Sequence, residues 1–364
     1  MNLTNNVLES DQRQSEYSND VNRGNKYIGR RKFLSYFTAM AGFGLAHAKG
    51  KTKNSGHSNL LKKKNLPKQT HKPKHQPKPK EKSLVEIINE QMTRERENNE
   101  ILRDTKTSWI VYDRFNNHLE ASINGNIGRQ AASMVKPFIA LAYLHSIQHG
   151  NLAYDNLARF HMEKMISESD NWSTNWVMQK IGGPNSVQKI LQDYYGNIFK
   201  KVQIKDYEPL DLKERIKTGI LKFDNVPSGT DFYANTAAAN DYRRFLEAIM
   251  NKEVYGWQEI KRLMSMPKKD RIITGTNNIP EGTIVWDKTG THGRVCGNFG
   301  YVEAMGEDGG TKPYTFIGII EKPIRVEDQD YNIWKDVCES AMRRISDKVY
   351  LFMQKKNNLK LKTA

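Results

Sequence analysis

The sequence predicts one α/β (α+β) domain. We expect a mixed antiparallel sheet, flanked by an N-terminal and a C-terminal helix, with an all-helical lobe inserted between two groups of strands. Two β-rich runs come early, at 107–115 and 118–123, and three come late, at 283–288, 298–304 and 314–321. The middle of the chain has helical patterning. Two early strands are too few to be stable alone, so strands from both ends must form one sheet.

The first elements are a helix and a hairpin. Leu84, Ile87, Ile88 and Met92 mark one face of a charged segment that we expect to be helical from 84 to about 103. The two early β-rich runs follow, and Asn116-Asn117 between them predicts a tight turn.

A buried helix is expected directly after Ser133. Residues 138–147 are apolar on nearly all sides, which is typical of a helix enclosed by the rest of a domain. Three further helical runs and a final amphipathic helix complete the prediction: 173–181, 185–195, 235–251 and about 331–353. Gly182-Gly183-Pro184 separates the first two of these helices.

The positive charge of the chain is concentrated before residue 83. Residues 49–82 hold twelve lysines and one glutamate, which is +11 of the formal +16, and residues 1–48 add +2. About +3 is therefore left for the predicted domain, 83–356, and the short basic tail, 357–364. We expect a Lys/Pro-rich solvated linker, and no nucleic-acid partner. Two roles stay open for the linker: a soluble spacer, or a polycation that contacts anionic envelope polymers.

The first 48 residues have the order of an export signal. Arg30-Arg31-Lys32-Phe33-Leu34 precedes a weakly apolar run, and Ala46-His47-Ala48 has the small-x-small pattern of a cleavage site. The paired arginines resemble a twin-arginine signal, which implies a periplasmic or other extracytoplasmic protein. The alternative is a disordered basic N-terminus with a chance Arg-Arg pair.

Three short motifs carry the chemistry. They are Ser133-Met134-Val135-Lys136, Ser169-Asp170-Asn171 and Lys288-Thr289-Gly290. Lys136 follows Ser133 by one helical turn, so both side chains lie on one face. Such a lysine acts as a base only if burial and nearby positive charge, for which Lys288 is a candidate, lower its pKa. Taken singly, S-x-x-K is common by chance, and Ser and Asp are ordinary helix caps.

Together the three motifs resemble the S-x-x-K, S-D-N and K-T-G set of active-site serine β-lactamases and penicillin-binding proteins. The resemblance covers roughly residues 84–353. Ile181-Gly182-Gly183-Pro184 and Asp287 are similar to class A β-lactamases, whereas Lys136-Pro137-Phe138 is more similar to cell-wall D,D-transpeptidases. The resemblance implies acylation of Ser133, with Lys136 as base and Ser169 passing a proton to the leaving nitrogen.

The same resemblance implies a substrate-binding set: Asn171, Lys288, Thr289, Gly290, Thr291 and Arg294. Asn171 would bind the substrate amide, and Lys288, Thr289 and Thr291, assisted by Arg294, would hold its carboxylate. Gly290 would let the substrate backbone approach the strand edge closely. The Thr291 N–H would be the second oxyanion donor beside that of Ser133. Glu208 resembles the glutamate that activates the deacylating water, but the asparagine expected shortly after it is missing. Only 36 positions separate Ser133 from Ser169, which predicts a trimmed lobe and a more open cleft.

Three functions therefore stay open: a β-lactamase, a D,D-peptidase that acts on peptidoglycan stem peptides, and a non-catalytic homologue that binds the envelope. Cys296 and Cys338 have no metal-binding or C-x-x-C spacing, and whether they pair is left open. We expect a monomer without metal or other cofactor.

Overall fold

The structure, a computed structural model, describes residues 81–98, 100–204, 235–322 and 328–362. Its main sheet has five strands: β1 (Lys106–Asp113), β2 (His118–Ile123), β5 (Ile284–His292), β6 (Val295–Glu303) and β7 (Tyr314–Glu321). Their order is β2-β1-β7-β6-β5, and neighbouring strands are antiparallel. β3 (Gly128–Gln130) and β4 (Thr236–Ala238) form a separate pair. The predicted α/β (α+β) fold with one sheet built from both ends of the chain is confirmed.

Eight α-helices lie in the described residues. In chain order, α1 to α8 are Leu84–Glu97, Lys136–Gln148, Asn156–Glu163, Asn171–Ile181, Pro184–Tyr195, Ala239–Met250, Trp257–Met264 and Asp328–Asn357. Gly182 and Gly183, with φ of 103° and 90°, end α4 and precede α5, and Pro184 is the first residue of α5. Both glycines adopt left-handed backbone conformations that other residues rarely take. The Gly-Gly-Pro boundary between two helices is therefore as predicted.

Several predicted boundaries are wrong. The first helix ends at Glu97, not near residue 103, because Asn98 caps it with a bond to the carbonyl of Arg94. Residues 236–238 of the predicted helix 235–251 form β4 instead, which pairs with β3. The strand predicted at 283–288 continues to His292, so the K-T-G motif lies within β5 and not at its end.

The sheet separates two apolar cores. One face packs on α1 and α8, with Trp109, Phe316 and Tyr350 among the buried residues. The opposite face packs on the helical lobe through Phe138, Tyr242 and Phe299. α2 lies within this second core, and its residues from Lys136 to Ser146 are all buried. The buried helix predicted after Ser133 is thus present.

The C-terminal residues pack on the domain. Leu359 is buried and pairs with Gly306, and the N–H of Lys362 donates to the carbonyl of Asn278. Cys296 and Cys338 are buried free thiols. Across the described residues, no helix combines the length and the apolar character needed to cross a membrane.

Candidate active site

Ser133 lies at a sharp change of backbone direction. Residues 132–135 form a 3-10 turn, and α2 begins at Lys136, with Pro137 in its first turn. Pro is tolerated there because the first N–H groups of a helix have no partner within it. Ala132 has φ of 44°, which is strained for a residue with a Cβ. Such strain is often found where a fold holds a functional side chain in place.

The 3-10 turn packs closely on β5 because of Gly290. A Cβ at this position would lie 2.8 Å from Met134 Cγ and 2.9 Å from the carbonyl oxygen of Ala131. Gly297 on β6 leaves room for the rest of the Met134 side chain in the same way. Close approach at Gly290 was predicted for a substrate backbone. In the structure its Cα faces the turn that carries Ser133, so the glycine brings the S-x-x-K and K-T-G motifs together.

Ser169 lies between a π-helical turn and α4. Its φ of 62° is left-handed, and the turn of residues 164–168 ends there. Asp170 is the N-cap of α4, because its carboxylate accepts a hydrogen bond from the N–H of Ser173 at 2.7 Å. The predicted helix cap is therefore formed by Asp170. Ser169 itself points its backbone oxygen and its hydroxyl toward two lysines.

Lys136 is fully buried against the S-D-N motif. Its Nζ donates to the backbone oxygen of Ser169 and, at 3.0 Å, to Oδ1 of Asn171. Burial lowers the pKa of Lys136 well below its usual value, and the positive charge of Lys288 lowers it further, against the opposing effect of Asp170. A lowered pKa favours the uncharged form of the amine, which is the form that is able to accept a proton.

Lys288 approaches Ser169 from the sheet. Its Nζ donates to Ser169 Oγ at 2.8 Å, and its side chain is buried. Burial lowers the pKa of Lys288 to about 7; Asp287 opposes this shift, and Lys268 and Arg271 add to it. Asp287 is itself buried, and its two carboxylate oxygens bind Lys268 Nζ at 3.1 Å and Asn298 Nδ2 at 2.7 Å. Lys268 and Asn298 therefore hold Asp287 directly behind the motif.

Arg271 is a site residue that the sequence analysis missed. Its guanidinium is buried and donates to the carbonyl oxygens of Gly290 and Gly297, to Thr291 Oγ1 and to Glu339. Arg294, predicted to assist in binding the substrate carboxylate, donates through Nε to the carbonyl oxygen of Lys322 at 3.2 Å. No local pattern marks Arg271, since its partners lie 19 or more positions away along the chain.

The remaining predicted residues are placed as follows. Thr289 and Thr291 lie half-buried on β5, opposite Asn298 and Cys296 of β6. His292 ends the strand. Glu208 lies outside the described residues. In the described part of the chain, no three His, Cys, Asp or Glu residues come close enough together to hold a metal ion.

Solved structures with the same fold include proteins that react with penicillin. A PBP-A mutant, solved as its acyl-enzyme complex with penicillin G, is 18% identical to this chain, with a TM-score of 0.53. The match covers 75% of this chain and 96% of PBP-A. The ancestral class A β-lactamase GNCA is 15% identical, with a TM-score of 0.56 over 74% and 100%. A β-lactamase from Xanthomonas campestris is 12% identical, with a TM-score of 0.55 over 73% and 97%. At these identities the likeness shows the fold.

A comparison with curated proteins gives no significant match. The model of the beta-lactamase enzyme family matches residues 158–350. This range begins after Ser133 and Lys136 and contains the S-D-N and K-T-G motifs. Because the match spans more than half of the sequence and agrees with the fold, the chain belongs to the beta-lactamase enzyme family.

Proposed function

We propose that the chain is a serine hydrolase that forms an acyl-enzyme on Ser133 with β-lactams or similar amides. One observation carries the proposal: Ser169 accepts two hydrogen bonds from lysines. Lys136 Nζ donates to its backbone oxygen, and Lys288 Nζ donates to its hydroxyl oxygen. Three distant segments of the chain thus meet around one serine. This arrangement supports a proton route that begins at Ser133 and ends at a leaving nitrogen.

Lys136 is the proposed base. A neutral amine has two N–H groups and one lone pair. The oxygens of Ser169 and Asn171 orient the N–H groups, and the lone pair takes the proton of the Ser133 hydroxyl as its oxygen attacks the carbonyl carbon. Ser169 then donates its hydroxyl proton to the leaving nitrogen, and the proton that Lys136 took from Ser133 replaces it, so that both lysines end the step in their starting protonation states. The backbone N–H groups of Ser133 and Thr291 stabilise the oxyanion.

Lys288 is the proposed binding group for the substrate carboxylate. Thr289 and Thr291 lie on the same strand, and Arg271 holds the Thr291 hydroxyl in place. β5 is the last strand of the sheet, so an extended substrate has room to lie alongside it. A carboxylate bound there keeps Lys288 protonated, because an opposite charge raises the pKa of a buried amine.

Hydrolysis of a β-lactam is the first proposed activity, and D,D-peptidase activity is the second. The PBP-A complex favours the second, since that protein was solved with penicillin G still attached. The two differ in the life of the acyl-enzyme. Glu208 is the proposed deacylation base only for the first.

A fluorescent penicillin tests both activities. Mass spectrometry of the labelled full-length protein should show one adduct on a peptide that contains Ser133. Rapid return to free enzyme identifies a β-lactamase, and a long-lived adduct identifies a penicillin-binding protein. Ser133→Ala should abolish the adduct, while Ser265→Ala, at an exposed serine, should leave it unchanged. An adduct on another serine in the Ser133→Ala protein would refute the assignment.

We further propose export by the twin-arginine route, with the enzyme acting in the periplasm or another extracytoplasmic space. The support is the order of residues 29–48 in the sequence. Replacing Arg30 and Arg31 by lysines should leave folded, penicillin-reactive protein in the cytoplasm. Normal export of this variant, measured by cell fractionation, would assign the segment to another route.

A further inference from the structure

A cavity lies at the C-terminal end of α2, the end opposite Ser133. It encloses about 860 Å³ and is bounded by the ends of α2 and α5 and by the segment that joins α6 to α7. We call this cavity, lined by His149, Tyr194, Lys252, Tyr255 and Trp257 among others, the α2 groove. Lys136 and Gln148 are 12 positions apart in α2, which is about 18 Å along a helix. The α2 groove is therefore separate from the candidate active site.

The walls of the α2 groove are fixed by contacts. Gly256 has φ of 70°, and a Cβ there would lie 2.7 Å from Leu144 Cδ1, so the loop before α7 packs tightly on α2. His145 Nδ1 lies 3.1 Å from the Tyr195 hydroxyl. Tyr154 donates to Glu259, which also binds Arg262. These contacts form the cavity before any ligand arrives, as is usual for binding sites.

Aromatic rings form part of the accessible lining. Tyr194 is 56% exposed and Tyr255 43% exposed, although both are large residues with apolar rings. The ring of Tyr194 packs on that of His145, with centroids 4.2 Å apart, and His145 packs on His149 at the same distance. Gln148, Glu253 and Gln258 add hydrogen-bonding groups beside the rings. The lining thus combines flat apolar faces with polar edges.

The charges of the α2 groove are nearly balanced, which favours an uncharged ligand. Lys252 and Glu253 are neighbours of opposite charge, and Glu259 is paired with Arg262 at 2.6 Å. None of the lining residues belongs to a strand, so the groove has no sheet edge to which a peptide backbone can add. The hydroxyl, amide and imidazole groups of the lining do not suit a hydrocarbon chain. A sugar fits both features, because its C–H faces pack on aromatic rings and its hydroxyls bind polar edges.

We propose that the α2 groove binds a neutral oligosaccharide. Tyr194 and Tyr255 would stack against sugar rings, and Gln148, Glu253 and Gln258 would bind their hydroxyl or acetamido groups. The proposal does not depend on the chemistry at Ser133. It adds to the enzyme a means of holding a carbohydrate polymer.

Titration of the full-length protein with a β-1,4-linked N-acetylglucosamine tetrasaccharide, and separately with maltotetraose, tests the proposal by calorimetry and saturation-transfer NMR. At least one probe should bind. Replacing both Tyr194 and Tyr255 by alanine should weaken binding about tenfold or more, which corresponds to about 1.4 kcal/mol. Tyr194→Phe with Tyr255→Phe keeps the rings and should retain binding within about threefold, less than the 1.4 kcal/mol of a tenfold change.

Phe115→Ala is the matched control, since Phe115 is an exposed aromatic residue outside the α2 groove. It should leave binding unchanged, and every variant should keep the circular-dichroism spectrum and the melting temperature of the wild type within a few degrees, which verifies folding. If the double alanine variant does not fold, Tyr255→Ala alone, in the loop before α7, replaces it. Binding of neither sugar at millimolar concentration, equal binding by the wild type and the alanine variant, or equal loss in Phe115→Ala would overturn the proposal.

Discussion

At the scale of single residues, the candidate site is a cluster of buried charges. Asp287 forms a salt bridge with Lys268, and Asp287, Lys268 and Arg271 are all close enough to shift the pKa of Lys288. Lys268 Nζ also donates to the carbonyl oxygens of Met264 and Met266, so its charge is held at a fixed position. Because interactions between buried charges are only weakly screened, each of these groups shifts the titration of Lys288.

Replacing Lys268 should therefore change the pH profile of the enzyme. As the pH rises above about 7, free Lys288 loses its proton, and kcat/KM for a substrate that carries a carboxylate should fall. Lys268→Met removes a positive charge, so this decline should move up by about one pH unit. Asp287→Asn removes a negative charge and should move it down. Stopped-flow acylation between pH 6 and pH 9 measures both shifts.

Lys269→Met is the control for these variants, because Lys269 is the exposed neighbour of Lys268. Its profile should match the wild type. Shifts of the same sign in Lys268→Met and Asp287→Asn would mean that both variants act through lost structure and not through charge.

The sequence allowed the prediction of the residues that the motifs name, but not of those that surround them. Ser133 and Lys136 were predicted from their one-turn spacing, and Ser169 from the local S-D-N motif to which it belongs. Arg271 and Lys268 were missed because their contacts depend on how the segment before β5 folds over the sheet. Arg294 was predicted because it follows the K-T-G motif closely in sequence, whereas Arg271 precedes the motif by 17 positions.

At the scale of elements, the packing of β5 on the 3-10 turn positions Ser133. The turn precedes a helix that is buried on all sides, so it has little freedom to move away from the sheet. Gly290 and Gly297 are the two places where the sheet makes room for it. The S-x-x-K and K-T-G motifs are therefore able to lie this close together because Gly290 and Gly297 have no side chains.

Gly290→Ala should reduce the rate of acylation more than it reduces the stability of the fold. The added Cβ would meet the backbone oxygen of Ala131 at 2.9 Å and the backbone nitrogen of Met134 at 3.0 Å, and neither atom is free to rotate away. We expect a loss of about 1–3 kcal/mol of stability, as for other overpacked positions. Acylation should slow at least about a hundredfold, since displacements near 1 Å have effects of this size.

Gly128→Ala is the comparison for this variant, because a Cβ at Gly128 has open space around it. Melting temperature and acylation rate should both stay near wild type. An acylation rate for Gly290→Ala equal to that of Gly128→Ala would show that the close contact does not position Ser133.

The elements that the sequence predicted are those with strong local patterns. The hairpin of β1 and β2 follows from two β-rich runs and the Asn-Asn turn between them, and α2 from its apolar run. By contrast, α3, α7 and the β3–β4 pair were not predicted. α3 and α7 have only eight residues each, and β3 and β4 three each, so tertiary contacts determine whether such short segments form an element.

At the scale of the whole molecule, the two buried lysines of the site oppose folding at neutral pH. Lys136 and Lys288 both have pKa values in the folded state below their usual value of 10.5. Between the folded and the unfolded pKa, the unfolded chain binds more protons than the folded one, so stability rises with pH in that range. The lysines are kept despite this cost because a charged, fully solvated lysine would be a poor base.

The free energy of unfolding should therefore increase between pH 7 and pH 8. Each fully differential proton adds about 1.4 kcal/mol per pH unit, so Lys288, with a pKa of about 7, should add about 1 kcal/mol over this range, and Lys136 should add to the rise in the same direction. His145 and His161, with lowered pKa values, affect stability at lower pH, and Cys296, with its pKa raised to about 11, at higher pH. Urea unfolding at pH 7.0, 7.5 and 8.0 measures the slope.

Lys136→Met and Lys288→Met should each remove part of this rise in stability with pH, and Lys269→Met should remove none of it. A wild-type stability that stays constant or falls over this range would show that both lysines remain protonated in the folded protein, and Lys136 would then be unable to act as the base.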